Sequence, residues 1–275
     1  MQHDCQRRTS HNFYGARGDP KMTLTHDTAV PTVSVFGIPV CKWGMKDTVE
    51  YLSQVVASGT PHQIITANPI MIMSALESPE YKQMMQAAEL IVPDGNGVVW
   101  AAQKGGDPVA ERVAGIDLMH ELLLQGVKEQ WRVYLLGSTP EVIEETAGRL
   151  SRQYPGLIIA GYRDGYFGPE QDEEVVQTIK EAAPHLLFVA RGADTQEPWI
   201  AKYKQSLGVP IMMGVGGSFD VISGKTKRAP LVFQKLRLEW LYRLLRQPSR
   251  LPRMLALPKF TVRVMREGEN LTKIR

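Results

Sequence analysis

From residue 33 onward, apolar and polar positions alternate in blocks that change period between strand and helix. VSVFGIPVCKW (33–43) predicts two short strands about Gly37, and 47–57 predicts a helix with Val49, Leu52, Val55 and Val56 on one face. HQIITA (62–67) reads as a buried strand, 69–77 and 79–88 as helices, and 90–92 as a strand stopping at Pro93-Asp94-Gly95. Helices follow from about 97 and over 115–127. Strands at 131–136, 157–161, 185–190 and 210–213 then alternate with helices at 140–153, 169–182 and 196–206. Repeated strand–helix–strand units predict an α/β fold, a mostly parallel sheet flanked by helices, whose ligands sit at the carboxyl ends of the strands. Four turns fall there: Thr66-Ala67-Asn68, Pro93-Asp94-Gly95, Gly137-Ser138-Thr139 and Gly214-Val215-Gly216-Gly217.

After Pro230 the rhythm changes. A helix is predicted over 231–246, ended by Pro248, and then basic, Pro-punctuated apolar stretches run to Arg275. At the other end, residues 1–31 are polar and Gly- and His-containing without periodicity, which predicts a disordered leader with Met22 as an alternative start. The expected organisation is therefore a leader (1–31), an α/β subdomain (32–130), a second α/β subdomain (131–228) and a basic helical appendage (229–275). Because the regular units end near 213, the appendage is expected to be removable without unfolding the sheet.

Composition narrows the class. With 43% hydrophobic and 22% charged residues the chain is an ordinary globular protein. Two cysteines, Cys5 and Cys41, exclude a disulfide framework and suit a reducing compartment. No apolar run approaches the roughly 18 residues of a membrane span, so the expected location is the cytoplasm. The net charge of +3 conceals an asymmetry: residues 225–275 hold 14 Lys/Arg against 3 Asp/Glu, a local +11, and the remainder carries −8. Such a tail seeks phosphates in nucleic acid, at an anionic membrane surface or in a diphosphate substrate.

Several familiar motifs are incomplete. Gly224-Lys225-Thr226 lacks the upstream glycine of a P-loop, since Phe219 stands there, and Phe219 also occupies the third glycine position of a dinucleotide fingerprint begun by Gly214 and Gly216. No His/Cys cluster has zinc spacing and no Asp-x-Asp occurs, so no metal or other cofactor is expected. The absence of G-x-S-x-G weakens serine hydrolysis.

Asp94 reads either as a turn residue or as a strand-end base able to take a proton from a hydroxyl, with Thr66 and Asn68 at the neighbouring strand end. Arg112 reads as its neighbour or as the ordinary partner of Glu111. The Ser138-Thr139 turn is equally an anion site of free backbone amides or a helix cap. Gln196 is by default a first-turn helix residue, and Tyr166 a half-buried loop aromatic. In the tail, Arg243, Arg246, Arg250 and Arg253 are interleaved with Trp240, Leu244, Leu251, Met254 and Leu257. This is either an amphipathic helix with solvated arginines or a lipid-facing surface with arginines turned to a diphosphate, and it fits a membrane better than DNA.

Taken in order, Thr66-Ala67-Asn68-Pro69, Val92-Pro93-Asp94-Gly95-Asn96-Gly97, Glu111-Arg112-Val113-Ala114-Gly115, Gly165-Tyr166-Phe167, Gln196-Glu197, Gly216-Gly217-Ser218-Phe219-Asp220, Arg228-Ala229-Pro230 and Leu238-Glu239-Trp240-Leu241-Tyr242-Arg243-Leu244 resemble the WecG/TagA/CpsF glycosyltransferase family, most of all its N-acetylmannosaminyltransferase branch. The resemblance runs from about 33 to 254. It implies a Rossmann-like sheet, with the second subdomain holding a nucleotide sugar. The implied reaction is inverting, metal-independent transfer of N-acetylmannosamine from its UDP donor to the 4-hydroxyl of N-acetylglucosamine on undecaprenyl diphosphate, in wall teichoic acid synthesis. Relatives that transfer a uronic acid or glucose make another UDP-sugar the alternative, beside a non-catalytic nucleotide-sugar-binding protein.

By the same resemblance Asp94 is the base, with Thr66 and Arg112 beside it. Asn68, Tyr166, Gln196 and Asp220 surround donor and sugar, and Arg243, Arg250 and Arg253 reach the leaving diphosphate. The implied partners are the UDP-sugar, the lipid-linked acceptor and an anionic membrane surface at the inner face of the cell membrane, with no nucleic acid; a homo-oligomer is left open. Asp194 and Thr195 stand where the family has Pro and a basic residue, Arg237 where glycine is common, and Ile70 where glutamate is frequent.

Overall fold

The computed structural model of the protein describes residues 29–192, 194–230, 232–233, 236 and 238–273, without the side chains of Arg243 and Arg250. The expected leader thus lies outside the described residues up to position 28. Strands β1 (Thr32–Val35) and β2 (Ile38–Cys41) form an antiparallel hairpin. Its two turn residues, Phe36 and Gly37, both take positive φ (54° and 87°), the mirror-image turn whose twist matches that of the strands it joins.

A six-stranded sheet follows, built from β3 (His62–Ala67), β4 (Leu90–Pro93), β5 (Arg132–Gly137), β6 (Ile158–Arg163), β7 (Leu186–Ala190) and β8 (Ile211–Gly214). The order is β4-β3-β8-β7-β5-β6 and every neighbouring pair is parallel, as the strand–helix alternation predicts. Strands β3, β4, β7 and β8 are buried at every position, the mark of a parallel sheet covered on both faces. Edge strand β6 is half-exposed and runs to Arg163, two residues beyond expectation, because its pairing with β5 continues to Leu136.

The helices of the α/β region are α1 (Met45–Ser58), α2 (Pro69–Glu77), α3 (Pro79–Gln86), α4 (Asn96–Lys104), α5 (Gly115–Lys128), α6 (Pro140–Gln153), α7 (Asp172–Ala182), α8 (Gln196–Leu207) and α9 (Ser218–Ile222). Alternate strand residues sort them into layers. Ile64, Val133, Phe188 and Met213 point into a core shared with α1, α5, α6 and α9. Their neighbours point to the opposite face, where Ile65 and Ile91 meet the hairpin, α2, α3 and α4, and Tyr134, Val189 and Met212 meet α7 and α8.

The tail departs from expectation twice. Where one helix is predicted over 231–246, the described residues place Leu238 outside any helix and begin α10 at Glu239 (Glu239–Arg246). Two further helices follow, α11 (Leu251–Met254) and α12 (Ala256–Glu267). The second departure concerns packing. Phe260, Val264 and Leu271 are buried in the same core as Phe36, Met71 and Val98. The Phe36 and Phe260 rings meet edge to face at 6.0 Å, the Phe36 amide donates to the Leu271 carbonyl at 3.1 Å, and the Thr272 hydroxyl donates to the Gly105 carbonyl at 3.1 Å. The end of the appendage therefore forms part of the core that it was expected to leave intact. Charge separates the tail from the sheet, but an apolar i, i+4 pair on α12 does not.

Candidate active site

All four suspect turns lie at carboxyl ends of sheet strands. At the end of β3, the Asn68 side-chain oxygen accepts from the amides of Ile70 (3.0 Å) and Met71 (3.2 Å), so Asn68 caps α2 with Pro69 in the first helical position. At the end of β4 the Asp94 amide donates to the Ala67 carbonyl at 2.8 Å, carrying the ladder one residue past the strand. The chain then turns at Gly95 (φ 133°, ψ 132°), a conformation reserved for glycine. A Cβ at Gly97 would stand 2.6 Å from Pro69, so this glycine lets the second turn nest on the first.

That nesting brings Asp94, Thr66 and Arg112 together. One Asp94 oxygen accepts from the Gly115 amide, at the first residue of α5, at 3.1 Å; the other accepts from Arg112 Nη2 at 3.3 Å. The carboxylate thus sits at a helix amino terminus, where the helix dipole favours negative charge. A Cβ on Gly115 would lie 3.1 Å from the Thr66 hydroxyl and 3.3 Å from Asp94 Oδ2, so threonine and aspartate flank the same backbone atom.

Arg112 does not take Glu111 as its partner. Glu111 instead accepts from the Met45 amide at 2.7 Å, at the start of α1. The second branch of Arg112, Nη1, donates to Glu239 Oε1 of α10 at 2.7 Å. Burial works against the Arg112 charge, but the carboxylates of Asp94 and Glu239 outweigh it and raise its pKa above the ordinary arginine value. Nearby, Arg228 grips Asp117 of α5 with both branches, at 2.7 and 2.8 Å.

A second group forms at the ends of β7 and β8. The Gln196 side-chain oxygen accepts from the Gly216 amide at 3.2 Å, and its amide donates to Glu197 Oε1 at 3.1 Å. Gln63 of β3 donates to Glu197 Oε2 at 3.1 Å. Glu197 is fully buried, and burial pushes its carboxyl up to about 7, partly opposed by these two amides. Gly214 must be glycine, because a Cβ there would collide with the Glu197 carboxylate. The Gln-Glu pair thus shapes the glycine turn after β8.

The turn after β5 resolves in favour of the cap. Thr139 Oγ1 accepts from the Val142 amide at 3.3 Å, and the Ser138 amide is occupied by the Ala190 carbonyl at 2.9 Å, so it is not offered to an anion. Ser138 adopts a left-handed backbone (φ 60°), a strained state of the kind that gathers at functional sites. Tyr166 is not half-buried but 75% exposed: Gly165 packs on Gly137, while the Tyr166 amide is held by Asp164 at 2.9 Å. Asp220 lies on α9, 3.7 Å from Lys225. Arg253 pairs with Asp194, after β7, at 3.0 Å. The side chains of Arg243 and Arg250 lie outside the described residues.

Three residues at these groups were not singled out from the sequence. Gly115 and Glu239 are hidden because their roles depend on partners far along the chain. Glu197 is hidden because Gln-Glu reads as an exposed first helical turn. Glu239 is the only acid between positions 225 and 266, the one signal that could have pointed to it.

A parallel α/β sheet with a carboxylate, a hydroxyl and an arginine converging at its strand ends is the frame on which the chain matches the Glycosyl transferase WecG/TagA/CpsF family, over residues 33–273. The chain belongs to that family. Among curated relatives it is 42% identical over 203 residues to the N-acetylglucosaminyldiphosphoundecaprenol N-acetyl-beta-D-mannosaminyltransferase of Bacillus spizizenii strain W23, covering 74% of this chain and 78% of that protein. Proteins of the same name from Bacillus subtilis strain 168 and Staphylococcus aureus strain MW2 are 35% and 34% identical, over 87% and 92% of this chain and 93% and 100% of their own lengths.

Proposed function

We propose that the protein transfers N-acetylmannosamine from UDP-N-acetylmannosamine to the 4-hydroxyl of N-acetylglucosaminyl-diphospho-undecaprenol, with inversion and without a metal, as in wall teichoic acid linkage-unit synthesis. The observation that carries the reading is the Asp94 carboxylate, held by the Gly115 amide and Arg112 beside Thr66, in a chain whose relatives bear that enzyme name. Inversion needs one base on the acceptor, opposite the departing UDP. Asp94 accepts the proton of the 4-hydroxyl as its oxygen bonds to the sugar C1, while the C1–O bond to UDP breaks with its electron pair going to the diphosphate. Arg112 orients the carboxylate, and the Thr66 hydroxyl supports the same pocket.

Gln196, through Gly216, sets the turn after β8 that faces the donor, and Asn68, Tyr166 and Asp220 border the sugar and nucleotide. Charge growing on UDP calls for guanidiniums, the role assigned to Arg243, Arg250 and Arg253. Among the described residues no three His, Cys, Asp or Glu converge as a metal site. Activity in excess EDTA is the expected outcome.

The acceptor is a lipid, and the tail suits a peripheral site on an anionic membrane surface at the inner face of the cell membrane. Among the described residues no helix is long and apolar enough to cross a membrane. Trp240, Leu245, Leu251, Leu255, Val262 and Met265 are exposed, interleaved with basic side chains. A groove of about 760 Å³ is lined by apolar Met73, Leu255, Pro258 and Val262 together with Lys259, Arg263, Arg266 and Glu267.

The test is incubation with a panel of UDP-sugars and a short-chain lipid diphosphate acceptor, read by mass spectrometry. N-acetylmannosamine transfer supports the reading. Transfer only of a uronic acid or glucose would move the chain to another donor within the family, and UDP binding without transfer would make it a nucleotide-sugar-binding protein.

A further inference from the structure

The appendage sends one carboxylate to the strand-end cluster. Glu239 opens α10, its side chain is 13% exposed, and it receives Arg112 Nη1 at 2.7 Å. Arg112 therefore has one branch on the tail and one on Asp94, the latter at a long 3.3 Å, while its Nε is buried without a hydrogen-bond partner. The neighbouring pair shows the alternative arrangement. Arg228 closes on Asp117 as a two-pronged fork at 2.7 and 2.8 Å. A carboxylate gripped in such a fork is held in its charged form and is a weaker base.

We propose that Glu239 is a positioning residue: by occupying Nη1 of Arg112, it prevents this arginine from forking onto Asp94 and so makes that carboxylate a stronger base than it would be without Glu239. The proposal rests on the reading of Asp94 as the base. Among the described residues, the charged groups that meet around Arg112 include Asp94, Asp117, Arg228 and Glu239; Glu239 acts on both arginines, and Arg112 and Arg228 repel each other. Removing the Glu239 charge has two effects on Asp94 of the same sign. It deletes a negative neighbour, and it loosens the hold on Nη1, which a neutral amide oxygen grips less strongly than a carboxylate, so that branch can swing onto Asp94. Both favour the ionised form. Base strength at the reacting oxygen is thereby linked to the seating of a helix from the membrane-facing tail.

The test uses Glu239→Gln and Glu239→Asp in the full chain. Carbon-13 carboxyl NMR of aspartate-labelled protein, with Asp94 assigned from Asp94→Asn, reads the midpoint of Asp94 directly, whether or not transfer occurs. The expected result is a midpoint about 0.5–1 pH unit lower in Glu239→Gln than in the parent chain, with Glu239→Asp closer to the parent. With the lipid acceptor, the acidic limb of the pH–kcat profile moves in the same direction and plateau kcat falls about three- to tenfold, while KM for the UDP-sugar holds. Hydrogen exchange at α12 should stay as protected as in the parent, separating this effect from loosening of the tail.

An Asp94 midpoint unmoved in Glu239→Gln overturns the proposal. So does a shift that accompanies lost α12 protection and is not restored by Glu239→Asp. A shifted midpoint in a chain that transfers no sugar upholds the electrostatic link and overturns the assigned activity instead.

Discussion

The Gly115 amide donates to Asp94 at 3.1 Å, and a Cβ on the same residue would crowd both that carboxylate and the Thr66 hydroxyl. Its backbone is ordinary helix, so it is the crowding that calls for glycine here. In Gly115→Ala the new methyl presses Thr66 and Asp94 apart by a few tenths of an ångström, and transfer should fall about 10–100-fold. Thermal stability should change little, because a shift of a few tenths of an ångström relieves the contact. Unchanged turnover would show that Asp94 and Thr66 need not be held together.

Asp94→Asn keeps the size of the side chain and one accepting oxygen, but its amide edge donates where the carboxylate accepted, and it cannot take the proton. Transfer should drop about 10²–10⁴-fold, with UDP affinity by calorimetry nearly unchanged. Near-parental turnover would remove Asp94 from the role of base.

Phe260 is 1% exposed and packs edge to face on Phe36. Phe260→Ala should cost about 3–5 kcal/mol in chemical denaturation, the range for an emptied aromatic core site. Truncation before α12 should likewise lower stability of the hairpin side of the sheet. A truncated chain as stable as the parent would show that the buried contacts of α12 contribute nothing to folding.

Glu197 has its carboxyl raised from an ordinary 4.5 to about 7 by burial. The folded state therefore holds a proton that the unfolded state releases. Between about pH 4.5 and pH 7 the unfolded chain binds fewer protons, so unfolding free energy falls as pH rises and levels off above the folded value. Urea titrations should reveal this slope in the parent chain and a flatter profile in Glu197→Gln. Equal slopes would place the linkage elsewhere.

Arg253 and Asp194 form an exposed pair, with side chains 61% and 73% accessible, so the contact itself contributes little to stability. Arg253→Ala should leave the melting temperature within error. It should also reduce turnover on a water-soluble acceptor analogue, if the guanidinium meets the leaving diphosphate. Loss of vesicle binding with full turnover on the analogue would make this arginine an anchor only.

The order of strands and helices was legible because each buried strand and amphipathic helix writes its own period into a few consecutive residues. The strand-end turns carrying Thr66, Asp94, Gly137 and Gly214 were legible for the same reason, since a parallel sheet puts every such turn at one edge. Partner choice was not. Arg112 sits beside Glu111 in the chain, yet it binds Asp94 and, 127 positions away, Glu239. Glu111 is drawn instead to the open amide at the start of α1.

Burial at the tail is not legible because Phe260 and Val264 are separated by Thr261, Val262 and Arg263, which all face outward, so local composition reads as a basic exposed stretch while one stripe is core. Tyr166 reads as half-buried from its type and stands exposed because Gly165, beside it, takes the place against Gly137. Sequence determines such local periodicity. Which carboxylate meets which guanidinium, and which aromatic finds a cavity, is decided only when distant segments compete for the same space and charge.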